Sequence, residues 1–121
     1  MVTLAAELPG EGIIGQVFIQ LNSARKELAD GVDRAYIYGF RIKPAYRRQG
    51  IASALYNEAE KLAQALGSDT PYNWVHPNND AIIQFLQHRG YDILNLIELR
   101  HPRPGEKPSE VISVGKHKFN Y

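Results

Sequence analysis

Apolar and β-branched residues run together or alternate with polar residues in six segments, a pattern that predicts β-strands. The segments are Val2–Leu8, Ile13–Leu21, Arg34–Lys43, Tyr72–His76, Tyr91–Leu99 and one last strand within Glu110–Phe119. PGEG after the first segment reads as a turn, and the polar stretch NSARKELADGVD after the second reads as a hairpin connection. The early part of the chain therefore predicts antiparallel neighbours.

Two other segments have the period of an amphipathic helix. Between Gly50 and Leu66 apolar residues recur every three or four positions, and Gly67 suits the position after a helix end. Asn79 offers an N-cap for a second helix of about ten residues, Asp80–Arg89. Strand, helix and strand in succession imply a parallel crossover. The whole pattern predicts an α/β (α+β) fold with a mixed, mostly antiparallel twisted sheet.

In the third strand Tyr36, Tyr38, Phe40 and Ile42 are expected on one face, because side chains alternate between the two faces of a strand. Gly39 in the middle of this strand indicates a bulge or a close approach to a ligand.

The size and charge of the chain narrow the choice of function. With 121 residues we expect a single domain, 1–121, with a proline-rich loop at 101–109 before the last strand. A net charge of +1 gives no general attraction to nucleic acid or to a membrane surface. The chain has no cysteine, and its four histidines show no ligand spacing, so we expect no metal site and a reducing, cytoplasmic setting.

The junction after Lys43 has the features of an anion site. A strand that leads through a glycine-bearing turn into a helix leaves backbone N–H groups directed outward at the helix start. Gly50 allows close approach, and Arg47 and Arg48 add positive charge. These residues suit a phosphate or diphosphate cradle, but an ordinary turn with two solvated arginines is an equally open interpretation on local physics alone.

A second glycine pattern, G-x-G-x-x-G, occurs at Gly10, Gly12 and Gly15. In dinucleotide-binding folds this pattern opens a helix. Here it leads into QVFIQL, which reads as a strand. We therefore interpret these glycines as part of a hairpin turn.

The stretch RIKPAYRRQGIASALYNEAEKL resembles the signature of the GNAT superfamily of N-acetyltransferases, [RQ]-x-x-G-x-[GA]. Arg47, Gly50 and Ala52 occupy its three defined positions. The later stretch NDAIIQFLQHRGYDIL resembles the second half of that family, where an asparagine precedes a helix that ends in glycine and an aromatic residue. The resemblance covers residues 13–100 approximately and implies a GNAT-like fold.

This resemblance implies that acetyl-CoA binds at the turn, with its diphosphate on backbone N–H groups. The pantetheine arm would lie between the strands at 34–43 and 72–76, where it would pair with backbone and with Asn79. The residues implied to bind the cofactor are Phe40, Ile42, Arg47, Arg48, Gln49, Gly50, Ile51, Ala52, Ser53 and Asn79.

The two side chains that many relatives use for catalysis do not carry over. Tyr36 stands where relatives have a general-base glutamate, and Leu86 stands where they have a tyrosine acid. We take Tyr38 and His76 as candidate catalytic substitutes. The alternative is structural: a tyrosine that packs in the sheet and a histidine that caps a turn.

The resemblance implies direct acetyl transfer from the thioester to a primary amine of a small molecule or a protein. A non-catalytic acyl-CoA-binding module and a small interaction domain are the alternatives. The first two predict stabilisation by acetyl-CoA, whereas only the enzyme predicts release of CoA when amines are added.

Relatives usually begin with a strand and two helices that form one wall of the acceptor site. About a dozen residues precede Ile13 here, so we expect those N-terminal helices to be missing. The groove is then open, or a second subunit supplies the wall. The C-terminal strand could pair across such a homodimer.

Overall fold

The computed structural model describes residues 1–22 and 34–121. These residues form two compact units, Met1–Arg89 and Gly90–Tyr121, and each is treated by itself below. Most of the predicted connection between the second and third strands lies outside the described residues. The expectation of a single domain stays a prediction.

The first unit is built on a four-stranded sheet. Its strands β1 (Val2–Leu8), β2 (Gly12–Asn22), β3 (Arg34–Ile42) and β4 (Pro71–Asn73) lie side by side in that order. The first three strands are antiparallel neighbours, and β4 pairs with β3 in parallel. The predicted mixed, mostly antiparallel sheet with a parallel crossover is confirmed. Gly12 and Gly15 lie in β2 rather than at a helix start, as expected.

Two helices follow from the predicted periodicity. Helix α1 covers Ile51–Ala65 and α2 covers Asp80–His88, while a single 3-10 turn, Pro44–Tyr46, precedes α1. The buried face of α1 includes Ala59 and Ala63, whose small side chains let the helix lie close to the sheet. Among the described residues, neither helix combines the length and the apolar character needed to span a membrane.

The predicted alternation of β3 is wrong beyond Tyr38, because the strand contains a β-bulge. Phe18 of β2 pairs with Tyr38, but Gln16, two residues earlier, pairs with Arg41, three residues later. The extra residue follows from Gly39, whose φ of +65° belongs to the left-handed region that glycine tolerates. Tyr38 and Arg41 therefore share one face of the sheet.

The other face of β3 packs toward α1. Ile37 and Ile42 are buried there, and both belong to the core of the first unit. Ser68 fixes the start of β4 beside β3, because its hydroxyl accepts from the Ala35 N–H (3.0 Å) and donates to the Thr70 carbonyl (2.6 Å).

The second unit contains one β-hairpin. Strands β5 (Val111–Val114) and β6 (His117–Asn120) are antiparallel and are joined through Gly115 at φ +58°. The prediction of one last strand is wrong here, because the Gly-Lys pair forms a two-residue turn.

The strand predicted at Tyr91–Leu99 is also wrong, since these residues have no regular secondary structure. Ile93 is 85% exposed and Leu94 is 70% exposed. A strand pattern needs a neighbouring strand to become a strand, and within the described residues no strand pairs with this segment.

Candidate functional site

The turn that joins β3 to α1 contains two residues in the left-handed backbone region. Arg48 has φ +62° and Gly50 has φ +78°. Such values are uncommon for a residue with a side chain, so the conformation at Arg48 is set by the surrounding turn. The 3-10 turn before it is closed by the Tyr46 N–H, which donates to the Lys43 carbonyl (2.9 Å).

Helix α1 begins without a side-chain cap. Gly50 is its N-cap residue, and the first bond along the helix runs from the Ala54 N–H to the Gly50 carbonyl (3.0 Å). The N–H groups of Ile51, Ala52 and Ser53 precede that bond and form the positive end of the helix dipole. A Cβ placed on Gly50 would meet no atom within 4 Å. Open space therefore lies next to three N–H groups, which suits a bound anion.

The polar side chains of the turn are exposed and partly brace the backbone. Arg47 donates from Nε to the Ile42 carbonyl (3.2 Å), and Gln49 donates from Nε2 to the Ala45 carbonyl (3.3 Å). A guanidinium group has five N–H donors, so this bond leaves Arg47 further donors for an anion. Arg48 is exposed beside it.

The two parallel strands part next to this turn. They pair through Ile37 and Asn73, and the Trp74 N–H donates to the Ile37 carbonyl (3.1 Å). Strand β3 then continues for five residues beyond that pair, through the bulge to Ile42. Phe40 and Ile42, both predicted to bind cofactor, lie in this stretch.

Aromatic rings pack between this end of β3 and the two helices. The Phe40 ring stacks on Phe85 of α2 with 5.7 Å between centroids and meets Tyr56 of α1 at 5.6 Å. The Tyr56 hydroxyl donates to Asn73 Oδ1 (3.0 Å), and burial raises the pKa of this tyrosine. The hydroxyl therefore stays a neutral donor. Sequence reasoning missed this bond, because nothing local marks Tyr56 and Asn73 as partners.

Asn79 is the N-cap of α2. Its Oδ1 accepts from the Ile82 N–H at 3.4 Å, while its own backbone N–H donates to the His76 carbonyl (3.0 Å). A carboxamide also has two N–H donors. The predicted cofactor contact would therefore use Nδ2, since the oxygen faces the helix.

The two catalytic candidates lie on different structural elements. Tyr38 is on the face of β3 away from α1, where its hydroxyl can donate its one proton to Met1 Sδ (2.9 Å) or to Gln20 Oε1 (3.5 Å). His76 is exposed in the loop after β4 and not in the strand predicted for it.

Leu86, at the position of the relatives' tyrosine acid, is 4% exposed and belongs to the core. Among the described residues no cluster of histidine and acidic side chains could hold a metal ion.

A parallel strand pair that opens beside an uncapped, glycine-led helix start defines an α/β protein with open space for an anionic ligand at that turn. The chain belongs to the Acetyltransferase (GNAT) family, whose sequence model matches residues 2–91. The resemblance found in the sequence is thereby confirmed.

Solved structures agree with this fold. The chain is 28% identical to a provisional acetyl transferase from Pyrococcus furiosus, with a TM-score of 0.69, and the match covers 83% of this chain and 64% of that protein. It is 17% identical to the aminoglycoside N-acetyltransferase AAC(6')-Iy in complex with CoA, with a TM-score of 0.70 and coverage of 84% and 75%.

It is 26% identical to Naa20 from Chaetomium thermophilum in complex with a bisubstrate analogue, with a TM-score of 0.63 and coverage of 71% and 47%. The chain thus spans less than two thirds of the Pyrococcus protein and of Naa20. No curated protein sequence matches it significantly.

Proposed function

We propose that this chain is an N-acetyltransferase that transfers the acetyl group of acetyl-CoA to a primary amine. The observation that carries the proposal is the turn at Gly50, where φ is +78° and helix α1 starts without a side-chain cap. Family membership and the solved structure of a relative with CoA support the same ligand.

In this proposal the backbone N–H groups from Gln49 to Ser53 hold the diphosphate, and Arg47 and Arg48 neutralise part of its charge. The pantetheine arm lies in the opening beyond Ile37 and Asn73. Backbone groups that have lost their partner strand there need other hydrogen-bond partners, and the arm supplies them. The contacts on the arm come from Phe40, Ile42 and Asn79.

Bound acetyl-CoA would supply the acetyl group as a thioester: the C–N bond to a neutral amine would form as the C–S bond breaks, and CoA would leave as a thiol that has taken up the proton lost by the nitrogen. An alkylamine has a pKa of about 10.4, so most of it is protonated at pH 7 and must lose a proton first. We assign that proton transfer to Tyr38, in the middle of β3, and to His76, in the loop after β4. Holding amine and thioester in one groove accounts for much of the remaining acceleration.

A second candidate is an acyl-CoA-binding module without catalysis. It is favoured by Tyr36 and Leu86, because both positions where relatives have catalytic groups are core positions here, with exposures of 3% and 4%.

Calorimetry with acetyl-CoA followed by a CoA-release assay with a panel of primary amines tests these proposals. Heat of binding together with CoA release supports the enzyme. Binding without release for any amine supports the module, and absence of binding contradicts both.

We also propose a homodimer in a cytoplasmic setting. The support for a dimer is the exposed apolar segment 93–99 and the two-stranded hairpin of the second unit, since an isolated hairpin is marginally stable in water. The support for the compartment is the absence of cysteine.

A further inference from the structure

Five aromatic rings cluster on the face of the sheet away from α1. We call this cluster the aromatic face. Its members are Phe18, Tyr36, Tyr38, Tyr72 and Trp74. The Trp74 ring stacks on Tyr36 with 4.2 Å between centroids and an angle of 21°, and it meets Tyr38 at 5.2 Å. Trp74 is 40% exposed, so a large ring faces solvent next to the opening between β3 and β4.

Tyr36 brings a buried polar group into the aromatic face. The residue is 3% exposed, yet its buried hydroxyl has no hydrogen-bond partner within the described residues. A buried polar atom without a partner destabilises the fold, because it has lost its hydrogen bonds to water and gained none in return. Within the described residues, the aromatic face therefore contains one polar group that is left unsatisfied.

The bulge in β3 places a positive charge beside the rings. Because Phe18 pairs with Tyr38 and Gln16 pairs with Arg41, the side chains of Tyr38 and Arg41 lie on one face, about 7 Å apart along the sheet. Without the bulge, the exposed Arg41 would lie on the face of α1.

Carboxylates are missing from the centre of this face. The positions that β2 and β3 contribute to it, from Gln16 to Gln20 and from Tyr36 to Arg41, carry neutral amides, rings and one arginine. Asp69 lies at the far end and accepts the Tyr72 hydroxyl (2.9 Å), next to Arg34, which lies 5.1 Å over the Tyr72 ring. A polycation would meet Arg41 and no carboxylate at these β2 and β3 positions.

We propose that the aromatic face binds the acetyl acceptor and selects an aromatic amine that carries a carboxylate, of the class of aromatic amino acids. The inference rests on the proposed acetyltransferase function. The ring of the acceptor stacks on Trp74, its amine lies over the ring faces and its carboxylate pairs with Arg41. Polyamines and aminoglycosides are poor acceptors, because they offer several positive charges and no carboxylate.

Trp74 reports acceptor binding by itself, because it is the sole tryptophan of the chain. We would titrate the protein with phenylalanine, 2-phenylethylamine and spermidine and follow the tryptophan fluorescence. Phenylalanine should give a saturable change at a concentration about tenfold lower than 2-phenylethylamine, which has the same ring and amine without the carboxylate. Spermidine should give none.

Arg41→Gln should remove the advantage of phenylalanine over 2-phenylethylamine and leave the affinity for 2-phenylethylamine unchanged. Lys116→Gln, which removes one exposed positive charge in the β5–β6 turn, is the control and should change neither. In the CoA-release assay Trp74→Leu should lower kcat/KM for phenylalanine about tenfold or more, and Trp74→Phe should restore part of it.

The outcomes separate this inference from the proposed function. Acetyl-CoA binding without any fluorescence response to phenylalanine, or with a stronger response to spermidine, overturns the aromatic acceptor and leaves the cofactor site intact. A response to phenylalanine that Arg41→Gln does not weaken overturns the role of the carboxylate. A response without acetyl-CoA binding supports the aromatic face and contradicts the acetyltransferase.

Discussion

Two glycines at the ends of α1 show how one residue type serves two purposes. Gly50 begins the helix at φ +78° and Gly67 follows its end at φ +92°, and a Cβ on either would meet no atom within 4 Å. Their backbone strain on substitution is therefore comparable, about 1 to 2 kcal/mol for an ordinary residue. Only Gly50 lies at the positive end of the helix, where the proposed diphosphate binds.

Replacement of each glycine by glutamate separates strain from binding. Gly50→Glu should abolish acetyl-CoA binding, because the carboxylate takes the place of the diphosphate and repels it. Gly67→Glu should lose similar stability in urea denaturation and keep its acetyl-CoA affinity in calorimetry. Equal affinities in the two variants would show that the ligand lies elsewhere.

The residues of the turn could be predicted from the sequence, because the chemistry of RRQGIAS is local. Gly50, Ala52 and Ser53 lie within four consecutive positions, and a helix that starts there directs their backbone N–H groups outward. The bond between Tyr56 and Asn73 could not be predicted, since these residues are far apart in the chain and on different elements.

At the scale of elements, strand β3 owes its two different faces to one bulge. The hydrophobic pattern predicted where the strand lies but assigned Phe40 and Ile42 to the wrong face, because alternation assumes an unbroken ladder. Register across a bulge depends on the partner strand, which the pattern of β3 alone does not contain.

Gly39→Ala should destabilise the first unit strongly. The added Cβ would clash with the Phe18 ring at Cδ2, and the residue would keep φ near +65°. Gly10→Ala, at φ +82° with no atom within 4 Å, has the strain without the clash. Urea denaturation should show Gly39→Ala less stable than Gly10→Ala by about 1 to 3 kcal/mol. Equal losses would mean that Phe18 moves aside freely.

A second element, the turn at Arg103–Glu106, is held by charge. Both carboxylate oxygens of Glu106 accept from the Arg100 guanidinium, at 2.8 and 2.6 Å, and one also accepts from the Arg103 N–H (2.9 Å). These donors lower the pKa of Glu106 from 4.5 to about 2, the Arg100 guanidinium most of all.

Because the folded pKa is depressed, the stabilisation is present above pH 4.5 and is lost as the pH falls toward 2. Carbon-13 NMR titration should place the Glu106 midpoint near 2 in the native chain. Arg100→Gln should raise that midpoint toward the ordinary value. A midpoint that the variant leaves unchanged would contradict the role of Arg100.

At the scale of the whole molecule, the pattern at 91–99 predicts a strand that the structure does not form. The pattern of its apolar residues is typical of a strand. Strand pairing, however, requires two segments, and the periodicity of one segment does not identify the other. The fold class was predictable because it depends on the order of elements. Whether residues 91–99 form a strand was not predictable, because strand formation depends on a second segment that pairs with them.

Light scattering tests the proposed homodimer. The native chain should have twice its 13.6 kDa mass at working concentration. Leu94→Glu should reduce it to a monomer, because the residue is 70% exposed in the single chain and a charge there prevents burial against a second copy. Lys107→Glu in the proline-rich loop is the control and should remain dimeric. A monomeric native chain would contradict the proposal.

The central claim is that the backbone between Tyr46 and Ser53 binds the diphosphate of CoA. Amide NMR shifts measured with CoA, and separately with pantetheine, which lacks the diphosphate, test it most directly. We expect the amides of Gly50, Ile51, Ala52 and Ser53 to shift with CoA and to stay unchanged with pantetheine. The account would be contradicted if the amide shifts at that turn stayed unchanged while those of other residues changed on addition of CoA.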